Sequence, residues 1–571
     1  MNHPESQASL RRAALAFALA SVLASCGKDA PEPHGLLDAE GTSEPYLVQY
    51  LVPGADFLGV HGLTFDRDDN LYVGSVIGQA IHKVDVNTGE SEVFVGPPQG
   101  MADDLEFGPD GTLVWTSILT GKVHARRPDG TVVVLADNLP GINSVAFRDD
   151  GRLFVTQVLW GDALWELDLK GRKEPRRVIA DMGHLNGFDF GKDGLLYGPL
   201  LYKGRAVKID VDSGALSAVA AGFRIPVAAN LDSHDNLYVP DTALGRVLRV
   251  DIHSGEKTLV ATVPEGIDNL ALDSRDQLYI TNMVDNAILK INTRTGATRT
   301  VVTSALAVPG GLDVRVENGV DQIYLGDLFS FKKISGASGA VTELKRGLRD
   351  RMEMPMTVTL QGNRAVTSSW FTNAVEVFNL ATNESVATYH DLKHPVDALE
   401  LEPGVLLIAE QGTGRLLRVS GEHGAKRKTI AENLPGMAAM RPVPGDKEGK
   451  PITRVYLTDT RNGQLLRLNP DNGKRQVIAE GLDRPEGFAV APDGTIVLAE
   501  VGRRRLVRID PQNGEVTEIA RNLAIGYPAA EGMPSSYVLT GVGVSPSGAI
   551  YVSADRATAL YKITPQQAAG H

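Results

Sequence analysis

The chain repeats one unit, spaced by about 43.5 residues, twelve times, and this repeat constrains the fold more than any other feature. Residues 62–73, 144–155 and 487–498 each contain a short alternating strand, an Asp- or Gly-rich turn and a second strand. A third strand, a further turn and a fourth strand follow. The last apolar residues of the twelve first strands are Phe65, Phe107, Phe147, Phe190, Leu231, Leu272, Val314, Leu360, Leu401, Met440, Val490 and Val544.

Units of this length are typical of four-stranded propeller blades, which take ~40 to 45 residues each. The 60 glycines among 571 residues supply the turns, and a hydrophobic fraction of 43% is enough for a large core. The sequence therefore predicts an all-β fold of tandem six-bladed β-propellers built from four-stranded antiparallel blades. One twelve-bladed ring is the alternative.

The two ends of the repeat array indicate how the rings close. The last unit stops after its third strand at residues 560–563, while Tyr46–Val52 is a spare strand at the front. Closed propellers protect their edges by pairing the two termini in one blade. We therefore expect Tyr46–Val52 to complete the sixth unit and Thr298–Val302 to complete the twelfth. The predicted propeller domains are residues 46–296 and 297–566.

Two stretches carry a resemblance to a known family. Residues 237–246 (LYVPDTALGR) and 186–190 (NGFDF) resemble the six-bladed propellers of the SMP-30/gluconolactonase family and the related NHL repeats. The resemblance extends over residues 46–563. It implies the propeller fold, but propellers host hydrolases, lyases and binding platforms alike, so the chemistry has to be argued from the site.

The amino terminus reads as an export signal. Arg11 and Arg12 precede an apolar run at 13–23 that is too short to span a membrane as a mature helix. The run ends in Leu-Ala-Ser before Cys26, the single cysteine of the chain, and this resembles the bacterial lipoprotein signal. The resemblance implies a signal peptide at 1–25 and lipidation of Cys26.

Residues 26–45 are predicted to be a flexible tether, because they combine prolines and glycines with acidic residues and lack apolar periodicity. The expected location is the bacterial cell envelope, with contact to the membrane through the lipid anchor only. The absence of Asp directly after Cys26 favours the outer membrane. A net charge of −13 argues against a nucleic-acid partner.

Candidate ligand-binding residues lie at the channel mouth of each propeller, where the innermost strands begin. The residue four places before each marked apolar position is polar at five of six mouth positions in the first half and at three of six in the second. Carboxylate and amide oxygens around one axis suit Ca²⁺ or Mg²⁺. The predicted metal ligands are Asp103, Asn143, Asn186 and Asp268.

The family resemblance implies a more specific site. Its lactonases bind a divalent metal at this mouth with one Glu, two Asn and one Asp, and Asn143 and Asn186 match the two Asn positions. His61 and Val227 stand where the Glu and the Asp are expected. Asp103 or Asp268 would then supply a carboxylate from a neighbouring blade, and Asp103 or His61 is the candidate catalytic base.

Two further groups of residues are candidates. Trp160 and Tyr202, in loops of the same face, are predicted to form a substrate rim. Asp397 and Glu486 are the mouth carboxylates of the second propeller and form a candidate second site, without Asn partners.

Two functions remain open on these residues. The first is a metal-dependent hydrolase of a lactone or similar oxygen-rich small molecule at the mouth of the first propeller. The second is a non-catalytic platform that binds a protein or a glycan at the cell envelope.

Overall fold

The computed structural model describes residues 46–444 and 452–566, and it contains twelve four-stranded antiparallel sheets. These sheets are the twelve blades, so the predicted all-β propeller fold is confirmed. The signal, Cys26 and the tether lie outside the described residues. Across the described ranges, no helix has the length and apolar character needed to cross a membrane.

The first ring consists of six blades, each formed by four consecutive strands running from the channel outward. The strands are β2 (Leu63–Phe65), β3 (Leu71–Ser75), β4 (Ala80–Val84), β5 (Ser91–Val95); β6 (Leu105–Phe107), β7 (Leu113–Ser117), β8 (Lys122–Arg126), β9 (Val132–Ala136); β10 (Ile142–Phe147), β11 (Leu153–Gln157), β12 (Ala163–Leu167), β13 (Arg176–Ala180); β14 (Asp189–Phe190), β15 (Leu196–Leu200), β16 (Arg205–Asp210), β17 (Ala215–Ala221); β18 (Asn230–Leu231), β19 (Leu237–Asp241), β20 (Arg246–Val250), β21 (Lys257–Thr262); β22 (Ile267–Leu272), β23 (Leu278–Asn282), β24 (Ala287–Ile291) and β25 (Thr298–Val302).

The second ring consists of blades seven to twelve, and its last blade also contains the first strand of the chain, β1 (Tyr46–Val52). Its other strands are β26 (Leu312–Glu317), β27 (Val320–Gly326), β28 (Ser330–Ser335), β29 (Val341–Arg346); β30 (Thr357–Gln361), β31 (Arg364–Ser369), β32 (Ala374–Asn379), β33 (Glu384–Tyr389); β34 (Pro395–Glu402), β35 (Val405–Glu410), β36 (Arg415–Ser420), β37 (Lys426–Ala431); β38 (Met437–Pro442), β39 (Val455–Asp459), β40 (Gln464–Leu468), β41 (Arg475–Ala479); β42 (Pro485–Val490), β43 (Ile496–Glu500), β44 (Arg505–Ile509), β45 (Val516–Ala520); β46 (Val542–Val544), β47 (Ile550–Ala554) and β48 (Ala559–Pro565). Short 3₁₀ helices in the described chain are Leu201–Lys203, Thr242–Leu244, Gln411–Thr413, Glu422–Gly424 and Val501–Arg503.

Each ring closes on itself. In the first ring β2 contacts β22, and the Ser274 hydroxyl of blade six donates to Asp69 of blade one at 2.6 Å. In the second ring β26 contacts β46, and the Tyr551 hydroxyl of blade twelve donates to Asp321 of blade seven at 2.7 Å. The two six-bladed rings are thus confirmed over a single twelve-bladed ring.

The turns of the repeat fold as their residue types require. Asp66 accepts hydrogen bonds from the backbone amides of Asp68 and Asn70 at 3.0 and 2.9 Å, which holds the reversal between the first two strands. In the next turn of the same blade, Gly89 adopts a φ of +79° and lies so close to Val301 of blade six that a Cβ would be 2.4 Å from the Val301 carbonyl oxygen. The turn residues therefore shape each blade and also allow neighbouring blades to pack.

The predicted exchange of strands between the rings is wrong. β1 pairs with β48 in the twelfth blade, and β25 pairs with β24 in the sixth. The reason is local: β25 follows β24 through a short turn, and closing that short loop costs less chain entropy than pairing with a distant blade. The first ring therefore spans residues 63–302, and the second consists of residues 46–52 and 312–565. This replaces the predicted domains 46–296 and 297–566.

The two rings pack against each other through their mouth faces. An apolar cluster joins Val76 and Ile118 of the first ring to Phe329 and Tyr537 of the second. At its edge Lys122 forms an ion pair with Glu531, with Nζ and Oε2 2.6 Å apart. On another side Arg346 donates to Asp285 at 2.8 Å.

The polar contacts between the rings come from blades one, two and six of the first ring and from Glu265, which links blades five and six. Within the described chain, no hydrogen bond or ion pair joins blades four and five to the second ring. Trp160 and Tyr202 stay exposed on the side of the first ring toward those blades. We call the space beside them, between the two rings, the inter-ring cleft.

Candidate functional site

The inner strands bring the predicted mouth residues of the first ring to one face. The amide of His61 donates to the Gly74 carbonyl and the amide of Asp103 donates to the Thr116 carbonyl, both at 2.9 Å, so each residue is fixed to the second strand of its own blade. Asp268 lies within β22 of blade six. Blades six, one and two are neighbours around the ring, and their three side chains meet.

His61 is the centre of this group. Its Nδ1 lies 3.0 Å from Asp268 Oδ2 and 3.7 Å from Asp103 Oδ1. Burial lowers the pKa of His61, but the charges of Asp268 and Asp103 outweigh burial, so the net direction is upward. Burial raises the pKa of Asp103 well above its usual value, opposed in part by His61. The structure therefore holds an imidazole and two carboxylates in one group at the mouth.

Asn143 and Asn186 form a second group around a different atom. The Ser144 hydroxyl oxygen lies 2.7 Å from Asn143 Oδ1 and 3.1 Å from Asn186 Oδ1. The amide of Gly187 also donates to the Ser144 oxygen, at 2.8 Å. The two amide oxygens thus both contact a serine hydroxyl of blade three. Ser144 is not among the site residues predicted from the sequence.

This pairing bears on the predicted metal. Two of the four proposed ligands face His61 and the other two face Ser144, so the four oxygens are not directed at one point. Among the described residues, no cluster of three or more ionisable or thiol side chains has the geometry of a metal site. A Ca²⁺ or Mg²⁺ ion at Asp103, Asn143, Asn186 and Asp268 stays a prediction, and no chemical step below depends on it.

The second ring covers His61. The Phe329 ring lies 5.8 Å from the imidazole in an edge-on arrangement, and His61 is 8% exposed. Its Nε2 is buried and has no hydrogen-bond partner in the described part of the chain. Phe329 lies nearly 270 residues from His61, so no local sequence signal could have associated the two.

The two predicted rim residues lie on the mouth face and are accessible. Trp160 is 49% exposed and Tyr202 is 65% exposed. The Trp160 ring lies 6.5 Å from Phe371 of the second ring, and the Tyr202 ring lies 4.7 Å from His184. Trp160 and Phe371 therefore approach each other at the edge of the inter-ring cleft, with their ring planes tilted by 52°.

The mouth of the second ring is built differently. Arg441, which is 7% exposed, reaches across the channel: its Nη1 lies 3.4 Å from Asp397 Oδ2, and its Nη2 donates to the Leu312 carbonyl at 3.0 Å. Burial raises the pKa of Asp397 to about 6, and Arg441 opposes that rise. Burial also raises the pKa of neighbouring Asp313, and the positive charge of Arg441 reduces that rise. A guanidinium thus provides the cation at this mouth.

Asp397 and Glu486 have separate partners. Glu486 accepts a hydrogen bond from the Thr540 amide at 2.8 Å, and its pKa is raised to about 8, mainly by burial. Asp397 accepts the amide of Met440 at 2.7 Å. The two carboxylates predicted as a second site therefore each satisfy backbone amides, and Asp397 also faces Arg441.

Comparisons with known proteins give the following result. The chain matches no protein-family model and no curated protein sequence. Among solved structures, it is similar to virginiamycin B lyase from Staphylococcus aureus, with 14% identity over 49% of this chain and 96% of that chain and a TM-score of 0.37. It is similar to a candidate gluconolactonase, with 16% identity over 46% of this chain and 95% of that chain and a TM-score of 0.36. It is also similar to the calcium-binding protein regucalcin from Agrobacterium tumefaciens, with 17% identity over 41% of this chain and 85% of that chain and a TM-score of 0.34.

Proposed function

We propose that this protein binds a glycan or a similar oxygen-rich molecule in the inter-ring cleft. The observation that carries the proposal is the pair of accessible aromatic side chains, Trp160 and Tyr202, beside the partly exposed mouth residues Asn143 and Asn186. Aromatic faces beside amide groups can stack on a sugar ring and hydrogen-bond its hydroxyls.

The shape of the cleft supports binding. Trp160 meets Phe371 of the opposite ring in a tilted contact and keeps about half of its surface exposed, so a flat ligand can stack on the free part of the Trp160 ring. The buried contacts between Val76, Ile118, Phe329 and Tyr537 fix the two faces relative to each other. A fixed cleft needs less ordering on binding, which favours affinity.

The binding proposal predicts a loss of affinity on removal of the aromatic groups. Trp160→Ala and Tyr202→Ala are each expected to weaken binding about tenfold, because an aromatic contact contributes roughly 0.5 to 1.5 kcal/mol beyond its buried area. The measurement is isothermal titration calorimetry of the mature chain with cellohexaose and chitohexaose. Val134→Ala, which shortens an exposed apolar side chain on an outer strand, is the matched control. Unchanged affinity in both aromatic variants, or no binding to either oligosaccharide, would contradict the proposal.

The proposed location is the cell envelope, with the rings held to the membrane through lipidated Cys26. This part rests on the sequence: the single cysteine directly follows the small residues that end the apolar run. A tether at 26–45 would leave the inter-ring cleft accessible to envelope glycans.

A second candidate function, hydrolysis of a lactone or similar ester, is favoured by His61. Its Nδ1 is held by Asp268 at 3.0 Å while its Nε2 has no partner among the described residues. In this reaction Nε2 accepts a proton from water, the hydroxide adds to the carbonyl carbon, and the ring C–O bond breaks. The leaving alkoxide then takes the proton from Nε2, which gives a hydroxy acid. Substrate can reach Nε2 only if Phe329 moves aside.

The hydrolysis candidate predicts a large effect at His61. His61→Gln is expected to lower kcat/KM for a sugar lactone at least 100-fold, since general-base catalysis contributes about 10² to 10⁴. Wild-type activity should rise with pH through the raised pKa of His61, because only the neutral imidazole accepts a proton. His390→Gln, at an exposed histidine of the second ring, is the control.

The same assay tests the predicted metal. Loss of activity with a chelator, together with metal in the purified protein that Asn186→Ala removes, would support a Ca²⁺ or Mg²⁺ ion at the four predicted ligands. No turnover in the wild type, or equal turnover in His61→Gln, would exclude hydrolysis at this mouth and leave the binding proposal intact.

A further inference from the structure

The mouth face of the second ring contains a separate cleft above blades nine to eleven. Its volume is about 670 Å³, within the range of small-molecule sites. The polar groups in its lining are contributed by loops of three successive blades and by the segment at residues 532–535 that passes over them. These groups are His394, Gln411, Thr460, Arg461, Arg484 and Ser535. We call this space the arginine cleft.

The arginine cleft is positively charged in a negatively charged protein. Its lining includes two arginines and no aspartate or glutamate, whereas the whole chain carries a net charge of −13. Burial and neighbouring Lys393 lower the pKa of His394, so the positive charge at neutral pH comes from Arg461 and Arg484. A local reversal of the sign of charge marks a binding surface for an anion.

Neither guanidinium has a direct side-chain partner among the described residues, although the charge of Arg484 lowers the pKa of Glu486, whose net direction is upward because of burial. In the described part of the chain, the side chains of Arg461 and Arg484 make no ion pair and no hydrogen bond. Other arginines of the same ring are paired: Arg441 with Asp397, and Arg505 with Glu500 and Glu518. Two unpaired guanidinium groups beside one cavity leave their planar donor sets free for a ligand.

Two of the lining residues have an uncommon backbone conformation. His394 and Arg484 have φ values of +46° and +49°, and each directly precedes a proline. A residue before proline normally adopts extended backbone, so the left-handed conformation at these two positions has a conformational cost. The two residues with this conformational cost both line the arginine cleft.

The remaining lining defines the neutral part of a ligand. The Thr460 hydroxyl lies 2.8 Å from the Ser535 hydroxyl, and the Gln411 side-chain amide lies 3.2 Å from the same Ser535 oxygen. The Gln411 carbonyl oxygen accepts the amide of Ser535 at 2.9 Å, which holds the overlying segment in place. The Thr460 hydroxyl also donates to the Gly436 carbonyl at 3.0 Å, so the two hydroxyl oxygens offer acceptor positions to a ligand that carries several hydroxyls.

We propose that the arginine cleft binds a carboxylate-bearing sugar, with Arg461 and Arg484 contacting the carboxylate and Thr460 and Ser535 contacting ring hydroxyls. Arginine recognises carboxylates through paired N–H donors, and such charge-assisted bonds are about twice as strong as neutral ones. This site goes beyond the function proposed for the inter-ring cleft, since it lies over other blades and uses charge in place of aromatic stacking.

The test is calorimetric titration of the full mature chain with sodium D-galacturonate and sodium D-glucuronate. D-galactose and D-glucose are the neutral counterparts, and inorganic phosphate is the competing anion. We expect one uronate to bind, the neutral sugars to bind at least tenfold more weakly, and added salt to weaken the uronate complex. Arg461→Gln and Arg484→Gln are each expected to weaken it at least tenfold. Arg467→Gln, at an arginine of blade ten that bonds only Gln476 among the described residues, should have no effect.

The outcomes separate this proposal from the binding function of the inter-ring cleft. Equal binding of neutral sugars, tighter binding of phosphate than of both uronates, or unchanged uronate affinity in both cleft variants would overturn it. Trp160→Ala should leave uronate binding unchanged, and Arg484→Gln should leave binding of neutral oligosaccharides unchanged. Both substituted arginines are exposed, and equal melting temperatures of the variants would show that folding is preserved.

Discussion

Deletion of residues 46–52 is expected to unfold the second ring and leave the first ring folded. β1 is the outer strand of blade twelve, and its Tyr46, Val48 and Val52 side chains are buried. Without β1, β48 becomes an unprotected edge and the apolar face shared with blade eleven is exposed to water. We expect the second ring to lose more than about 4 kcal/mol of stability. Limited proteolysis with peptide mapping should then cut within 312–565 and spare 63–302.

A matched pair of substitutions keeps this prediction testable if the deleted chain aggregates. Val48→Asp places a charge on the buried face of β1, whereas Gln49→Asp places the same charge on its exposed face. Only Val48→Asp should lower the melting temperature of the second ring. Preferential proteolysis of residues 63–302 in either the deletion or Val48→Asp would instead mean that β1 completes the first ring.

The fold could be predicted from the sequence because its determinants are local and repeated. The Asp66 turn satisfies backbone amides within four residues, so its signal lies in consecutive letters of the chain. The pairing of β1 could not be predicted in this way. Both assignments give every blade four strands, and the packing of Tyr46 and Val48 against blade eleven, which favours the observed pairing, joins residues far apart in the sequence.

The candidate site was predictable only in part. Repeat position correctly brought His61, Asp103 and Asp268 to one mouth, because blades six, one and two adjoin in a closed ring. The contacts of each side chain at the mouth also depend on other residues, which the position in the repeat does not specify. Ser144 lies between the two asparagines, and Phe329 covers His61 from the other ring.

Arg441 illustrates the same limit in the second ring. Arg441 directly follows the apolar residue that aligns its unit with the others. The repeat therefore predicts where Arg441 lies along the unit, but it does not predict where its side chain points. In the structure its guanidinium crosses to blade seven and bonds the Leu312 carbonyl. The mouth of the second ring therefore contains a permanent cation, where the sequence predicted two carboxylates that could hold a metal.

Replacement of Arg441 by alanine is expected to destabilise the second ring by about 3 to 5 kcal/mol, the usual cost of leaving a buried charge unpaired. Asp397 would lose its positive partner, and the Leu312 carbonyl would lose its donor. Urea unfolding monitored by tryptophan fluorescence, to which Trp370 contributes from the second ring, measures the loss, with Arg467→Ala as the control in the same blade.

The destabilisation by Arg441→Ala should depend on pH and on calcium. Without the guanidinium, the folded-state pKa of Asp397 rises further above its value in the unfolded chain. Protonation of Asp397 then stabilises the folded variant at low pH. This stabilisation is lost as the pH rises through the folded-state pKa. The difference from wild type should therefore be small near pH 5 and full at pH 8. Because Ca²⁺ can replace the lost positive charge beside Asp313 and Asp397, millimolar Ca²⁺ should recover part of the stability at pH 8. A deficit that is equal at both pH values and unaffected by Ca²⁺ would mean that Arg441 stabilises the ring by packing and not by its charge.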